Sequence, residues 1–428
     1  MDDIVKKAQD IIDYEAAHLP SIKKILKIVK EFIQKKKVLC YGGTAINNLL
    51  PPEDRFYDTN YDIPDYDFYS TEPQLHALQL ADEFNALGFS AIEVKPGSHL
   101  MTFKVFVNYT GVADITYLEP PIFDKLWNED LHRDNIHYVS PNFLRMSIYL
   151  ELSRPRGDVS RWSKVYKRLL LLNKHYPITC REQEGGYSTF TDEERSKIEN
   201  LLQKKKCVLL GIHAVDFHSK KKTNVWQVPI DILVDPADYE EYAEDFANVF
   251  GDRVKLVEHP HYAELLPKHV DIIEKDSGFL MVRVFEAFAC HSFHMVKDVR
   301  VASIPTLLQF FFSFIYADAH FLEGFDENRI ICICQRLVDL AHSEGKRRFN
   351  LLTPIDCIGH QETLTEIKSH KGDLYEKTPK KSLEFLRLFF SYKPGTLNKT
   401  QKQKLKENLR KSMKRAHEID ELVSDQTY

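Results

Sequence analysis

The sequence predicts an α+β protein built from two related lobes, the second a divergent copy of the first. Three observations lead there. Short apolar strand segments alternate with amphipathic helical ones along most of the chain. Near residue 203 the same order of segments begins again. At 428 residues and 50.0 kDa the chain is long enough for two or three domains with a sizeable buried core.

Residues 1–34 read as two helices. In the second, Ile22, Ile25, Leu26, Val29, Phe32 and Ile33 recur at the spacing of one buried helical face, after a Pro20-Ser21 start signal. The period then changes. Lys35-Lys36-Lys37 precedes VLCYGG, a strand running into a glycine turn, and AINNLL is the helix that the turn opens. Residues 51–62 are loop. PDYDFYS is a strand, and Gln74 to Leu87 an amphipathic helix ended by Gly88. FSAIEVK, HLMTFKVFVN and VADITYL are further strands, and residues 141–153 are helical.

The second set follows this order. Lys204 to Gly211 matches Lys35 to Gly42, and VPIDILVDPADYEEYAEDFANVF matches IPDYDFYSTEPQLHALQLADEFNALG. FLMVRVFEAF parallels HLMTFKVFVN, and ASIPTLLQFFFSFIY parallels VSPNFLRMSIYLELS. The boundaries expected are 1–34 for the N-terminal helices, 35–190 for the first lobe and 191–392 for the second. Residues 393–428 form a basic C-terminal helix or tail.

Composition excludes several classes. The net charge is −5, from 58 Lys and Arg against 63 Asp and Glu, so nucleic acid is not held by bulk charge. A local basic surface remains open, because net charge averages over faces. The 43% apolar content argues against general disorder. Seven cysteines, an odd number without a C-x-x-C pair, read as reduced buried thiols. MDDIVKKAQD has no signal-peptide core, and the apolar run Val301–Ala317 is too short to span a bilayer. No membrane partner is therefore expected. The histidine segments EHPHY and ACHSFH lack a matching ligand pair for zinc and read as core or surface histidines.

Three features of the first lobe belong together. Gly42-Gly43-Thr44 closes a strand; the glycines let the backbone approach a phosphate, and the following helix offers free N–H groups to an anion. Asp65 and Asp67 lie on one face of a strand, about 6.6–7 Å apart in rise, a separation of hard oxygen ligands that suits Mg²⁺ or Mn²⁺. Asp114, between Val112 and Ile115, is a third strand carboxylate that wants a cation. Each feature alone is ordinary: a turn, a pair of surface acids, a capping Asp. Together they resemble the nucleotidyltransferase signature of the polymerase β-like fold, a family that holds two divalent ions on three carboxylates. Asp58 and Asp62, in the loop before Pro64, are rival acids.

The runs YGGTAINNLLP, IPDYDFYS, GVADITYL, SPNFLRMSIYLELSRP and RWSKVYKRL resemble the poly(A) polymerase catalytic subunits of large cytoplasmic DNA viruses. The resemblance implies two tandem polymerase β-like lobes, the second without catalytic residues. That agrees with Gly211-Ile212-His213 standing where Gly42-Gly43-Thr44 stands, and with Pro229 and Asp231 in place of Asp65 and Asp67. It implies template-independent addition of AMP from ATP to an RNA 3′ end, with Asp65, Asp67 and Asp114 as catalytic metal ligands for two Mg²⁺ or Mn²⁺ ions. Gly42, Gly43 and Thr44 would bind the triphosphate. Arg161, Lys164, Lys167 and Arg168 share a helical face that suits its charge, with Lys164 and Arg168 the preferred pair.

Two other readings stay open: an enzyme making oligoadenylates or transferring a single nucleotide, and a non-catalytic RNA-binding scaffold. Tyr187 is a candidate for base stacking, and the basic stretch Lys399–Arg415 for following RNA phosphates. A homodimer is expected, as is residence in the host cytoplasm, with packaging into the virion allowed for.

Overall fold

The structure is a computed structural model that describes residues 1–181, 190–220, 229–263, 265–317, 326–343 and 345–425. Tyr187 and the glycines before it lie outside the described residues. The chain divides into two compact units. Unit 1 comprises Met1–Ser140 and Leu364–Glu421; unit 2 comprises Pro141–Thr363, with Leu422–Tyr428 counted to it. These bounds differ from those read in the sequence, because a helix belongs to the body whose apolar surface it covers, and order along the chain does not record that.

Unit 1 opens with α1 (Asp2–His18) and α2 (Pro20–Lys35). Pro20 sits in the first turn of α2, where its missing N–H is not needed. Next come β1 (Leu39–Tyr41), α3 (Gly42–Leu49), β2 (Tyr66–Ser70), α4 (Pro73–Ala86), β3 (Glu93–Pro96), β4 (Thr102–Val107) and β5 (Thr110–Tyr117). The segment closes with α5 (Pro120–Asn128) and a small hairpin, β6 (His132–Arg133) with β7 (Ile136–His137). The main sheet has the order β1-β2-β5-β4-β3, with β2 and β5 parallel and the other neighbours antiparallel.

One face of this sheet carries the core. Tyr66, Phe68 and Ser70 are buried on β2, and α2 buries Ile25, Ile28, Val29, Phe32 and Ile33. The Phe32 and Phe68 rings stand 6.4 Å apart, which fixes α2 against β2. Burying such a ring contributes about 1.5–3 kcal/mol. The other face is left to Asp67 and Tyr69, both partly exposed.

Unit 2 starts with α6 (Pro141–Leu152), α7 (Trp162–His175) and α8 (Asp192–Lys204). A capping box at Thr191 and Glu194 starts α8. The sheet follows: β8 (Val208–Leu209), α9 (Gly211–His218), β9 (Ile230–Val234), α10 (Tyr239–Asn248), β10 (Val254–His259), β11 (His269–Glu274) and β12 (Leu280–Glu286). β13 (His291–Val296), β14 (Val299–Ala302), α11 (Ile304–Tyr316), α12 (Glu327–His342) and β15 (Cys357–Ile358) complete it. The strand order is β10-β11-β12-β9-β8-β14-β13-β15. Within it, β8-β9-β12-β11-β10 repeats the order and the parallel or antiparallel sense of β1-β2-β5-β4-β3. The apolar run Val301–Ala317 contains α11, buried along its whole length. No helix among the described residues is long and apolar enough to cross a membrane.

The chain returns to unit 1 with α13 (Leu364–Lys377), α14 (Leu383–Phe389) and α15 (Lys399–Asp425). The basic C-terminus is thus helical, and it is anchored: Lys402 bonds Asp82 at 2.9 Å, and Leu409 and Met413 are buried.

Two sequence readings need correction. FLMVRVFEAF is β12, which pairs with β9 as β5 pairs with β2, so its counterpart is VADITYL and not HLMTFKVFVN. Alternating apolar strands look alike in sequence, and only pairing tells them apart. The seven thiols are also not all reduced. Cys180 is joined to Cys332 and Cys290 to Cys357, while Cys40, Cys207 and Cys334 are free and buried. Each bonded pair is remote in sequence, so spacing could not reveal it.

Candidate functional site

The candidate site lies on the partly exposed face of the unit 1 sheet, where β1 turns into α3. Register puts four side chains in one row: Tyr41 opposite Asp67, Asp67 beside Asp114, and Asp114 opposite Lys104. Asp65 lies one residue before β2 yet keeps its alternation, exposed where Tyr66 is buried. The three acids named in the sequence therefore share one face of two adjacent central strands.

The turn is fitted to this row. Gly42 has φ of +73°, and a Cβ there would come within 2.8 Å of Asp67 Oδ2. Only glycine lets the start of α3 approach the carboxylate so closely. Thr44 is buried, and its hydroxyl donates to the Asp65 carbonyl at 2.5 Å. The hydroxyl read as a phosphate donor thus holds the strand segment that carries Asp65.

Lys104 went unnoticed in the sequence. Its ammonium bonds Asp114 Oδ2. A lysine two strands away from the first acid leaves no local signal; only the register reveals it. Tyr41 stacks on Tyr69 at 3.8 Å, and its hydroxyl lies 3.0 Å from the Thr116 hydroxyl. Burial, and then the charge of Asp67, push the Tyr41 phenol up, and the same two causes raise the Cys40 thiol. Neither side chain ionises readily here, so the row's charge comes from its carboxylates and lysine.

The loop before β2 is held from α3. Asn47 Oδ1 accepts from the backbone N–H of Phe56 and of Tyr57, each at 2.9 Å. Arg133 donates to the carbonyls of Asn48 at 2.7 Å and Leu49 at 3.2 Å, closing the C-terminal end of the helix. Asp62 accepts from the Asp58 N–H at 2.8 Å, and Asp58 from the Asn60 N–H at 2.9 Å. The rival acids of the sequence therefore shape their own loop. A cavity of about 220 Å³ opens beside Thr44, with Lys30, Arg55, Tyr57 and Arg133 among its walls.

Lys164 and Arg168 are on α7, in unit 2. Lys164 is exposed, and Arg168 is buried. Arg161 pairs with Glu151 at 3.2 Å. Burial raises the Glu151 carboxyl above its ordinary range, against the pull of Arg161 and Arg168.

The matching row of unit 2 has different chemistry. Gly211, with φ of +64°, approaches Asp231 as Gly42 approaches Asp67. Asp231 is beside Arg283, and Arg283 is opposite Asp271. Arg283 therefore stands where Asp114 stands, and Asp271 where Lys104 stands. Arg283 Nε donates to Asp271 Oδ1 at 2.8 Å, fully buried. Burial pushes Asp231 up to about 6, Arg283 opposing it. Burial would raise Asp271 as well, but Arg283 and His259 outweigh it and hold that carboxyl well below its usual range.

The donor set of the first row suits a hard divalent cation: three carboxylates on one face, beside the glycine start of α3. Residues 27–158 match the family model described as "Poly(A) polymerase catalytic subunit". Over 193 residues the chain is 33% identical to the "Putative poly(A) polymerase catalytic subunit" of African swine fever virus (isolate Tick/Malawi/Lil 20-1/1983), which covers 44% of this chain and 40% of that one. Over 158 residues it is 32% identical to the protein of the same name from Acanthamoeba polyphaga mimivirus, covering 36% and 26%. The matches thus span less than half the length of these curated relatives. The crystal structure of the Megavirus polyadenylate synthase superposes with a TM-score of 0.77 at 20% identity, over 96% of this chain and 87% of that one. Over residues 27–158 the chain is therefore similar to the viral poly(A) polymerase catalytic subunits, and its fold is that of the Megavirus polyadenylate synthase.

Proposed function

We propose that the chain is a template-independent polynucleotide adenylyltransferase, adding AMP from ATP to RNA 3′ ends. The observation that carries this reading is the register of Asp67 with Asp114 on adjacent parallel strands, Asp65 on the same face, beside the glycine start of α3. Asp65, Asp67 and Asp114 would hold two Mg²⁺ or Mn²⁺ ions. Such ions, when bound, supply the positive charge that lowers the pKa of an RNA 3′-hydroxyl and stabilises departing pyrophosphate.

The chain's own residues do the rest. Gly42 and Gly43 present backbone N–H groups of α3 to the triphosphate. Thr44 fixes Asp65 through its carbonyl. Lys104 keeps Asp114 oriented along the row. Lys164 and Arg168 are assigned to the triphosphate on the family resemblance and their i, i+4 spacing; Lys164→Ala should raise the KM for ATP. The test of the function is primer extension with each of the four nucleoside triphosphates. Long tails from ATP, abolished in Asp65→Ala, are expected. Products independent of an RNA primer would instead identify an oligoadenylate-forming enzyme.

Unit 2 is read as a second, degenerate nucleotidyltransferase lobe. Its repeated strand order supports the common origin, and Arg283 at the position of Asp114 supports the loss of catalysis. A homodimer is supported by the apolar side chains Ile4, Val5, Ile11 and Ile12, all more than half exposed on α1. Light scattering that gave a monomer mass would refute it. The viral relatives support residence in the host cytoplasm, which imaging of the tagged chain in infected cells would test.

A further inference from the structure

The edge of the unit 2 sheet brings two histidines and an aspartate together away from the proposed catalytic row of unit 1. Register pairs His259 at the end of β10 with His269 at the start of β11. Asp271 is two residues along β11 and so shares the face of His269. One ligand atom from each of the three lies within 4.8 Å of the others. The two imidazoles stack at 4.7 Å with 16° between their planes. His269 and Asp271 are buried and His259 nearly so.

The proton positions follow from the partners. His269 Nδ1 is 3.1 Å from the Pro267 carbonyl, which can only accept, so Nδ1 carries the hydrogen. Nε2 is then left with its lone pair, buried, and has no hydrogen-bond partner among the described residues. Asp271 is held from behind, Oδ1 accepting from Arg283, while Oδ2 lies 3.3 Å from His259 Nε2. A backbone carbonyl orienting one imidazole and a guanidinium orienting the carboxylate form the outer support that metal ligands carry.

We propose that His259, His269 and Asp271 form a transition-metal site for Zn²⁺, separate from the Mg²⁺ or Mn²⁺ row of unit 1. Two imidazoles and one carboxylate make a common three-ligand zinc set, completed by a single water. Imidazole ligands select zinc over the hard ions of the other row. Bound there, the metal ties β10 to β11 and uses the lone pair of His269.

The test uses the full-length, tag-free protein, stripped of metal by chelation and kept in excess Mg²⁺ so that the unit 1 carboxylates are occupied. Co²⁺ serves as the probe. One equivalent should bind, with the visible bands of a tetrahedral nitrogen–oxygen site and no thiolate charge-transfer band, and Zn²⁺ should displace it. His259→Gln and His269→Gln should each lose the cobalt spectrum. In unit 1, ligand atoms of Asp130, His132 and His137 also lie within 4.8 Å of one another, with His137 partly buried and the other two exposed; His132→Gln there should keep the spectrum. No uptake by the wild-type protein, a thiolate band, or a spectrum unchanged in His269→Gln overturns the proposal. Should a variant fail to fold, thermal unfolding of the wild-type protein decides. Zn²⁺ must raise its Tm in excess Mg²⁺, and an unchanged Tm refutes the site. The readout is independent of nucleotide transfer, so it stands or falls apart from the proposed function.

Discussion

Two rows of side chains occupy equivalent positions in the two sheets of this protein. In unit 1 the row runs Tyr41, Asp67, Asp114, Lys104; in unit 2 the aligned positions past β8 hold Asp231, Arg283 and Asp271. Asp67 and Asp231 keep an acid on the first central strand, while acid and base have changed places between the second (β5, β12) and its neighbour (β4, β11). The surroundings changed with them. The side chains of Lys104 and Asp114 are 38% and 28% exposed, whereas those of Arg283 and Asp271 are 0% and 6% exposed. Three carboxylates against one lysine leave the first row with an excess of negative charge that an added cation can meet. In the second, Arg283 lies beside Asp231 and donates to Asp271 Oδ1 in a buried pair, which leaves Asp271 Oδ2 to face His259. One strand order thus supports either a partly exposed acidic row or a buried acid–base pair, depending on which strand carries the base.

The largest effect that would sharpen this contrast is catalytic. Asp67→Asn should lower ATP incorporation on the order of 1000-fold, about 4 kcal/mol of transition-state stabilisation. Asp231→Asn should leave incorporation within about twofold. Equal losses from both variants in primer extension would break the comparison.

Stability should show the reverse. Arg283→Met leaves Asp271 buried beside an uncharged neighbour and should destabilise unit 2 by about 3–5 kcal/mol. Lys104→Met removes a partly exposed pair and should cost less than about 1 kcal/mol. Denaturant unfolding of the two variants measures both, and a larger loss in Lys104→Met would refute the distinction.

Gly42→Ala meets both a positive φ and the Asp67 carboxylate, so about 1–2 kcal/mol of stability should be lost. Incorporation should fall too, as Asp67 is displaced. Gly211→Ala crowds Asp231 in the same way, at 2.4 Å, but should affect stability alone.

Acid should separate the units as well. Burial lowers His218 to about 3, helped by His294 and Arg348 against the Ala302 hydrogen bond. Burial lowers His294 to about 4, and burial with Arg154 lowers His291 well below the ordinary value. All three belong to unit 2; in unit 1, burial and then Lys36 lower His76 to about 4. A folded-state pKa below the unfolded one means that the native state binds fewer protons. The contribution is therefore complete above pH ~6.5 and is lost as pH falls towards the folded values, by about 1.4 kcal/mol per histidine per unit. Hydrogen exchange at pH 7 and pH 5 should show unit 2 losing protection first; earlier loss in unit 1 would contradict this.

The geometry of the candidate site was legible in part. Asp65 and Asp67 announce themselves by two-residue alternation, and Gly42 by its place between a strand and a helix, because both signals are local. The pairing of Asp67 with Asp114 spans 47 residues, and the sequence reached it only by combining three weak motifs. Lys104 and Arg283 carried no local signal at all. Arg283 is equivalent to Asp114 only through the pairing of β12 with β9, which alternating apolar residues do not encode. The disulfide Cys290–Cys357 was hidden for the same reason, since its halves are 67 residues apart.

What the sequence determined by itself is what short-range periodicity can encode. That comprises strands and helices in their order, a repeated order of segments, and the alternation that puts Asp65 and Asp67 on one face where β2 begins. The tertiary structure decided which strands are neighbours and in what register. It thereby decided that Asp114 joins the acids and that Arg283 closes their counterpart. It also decided that His259 meets His269. Side-chain spacing along a strand is fixed by backbone geometry, whereas register across strands is fixed by burial of the whole sheet.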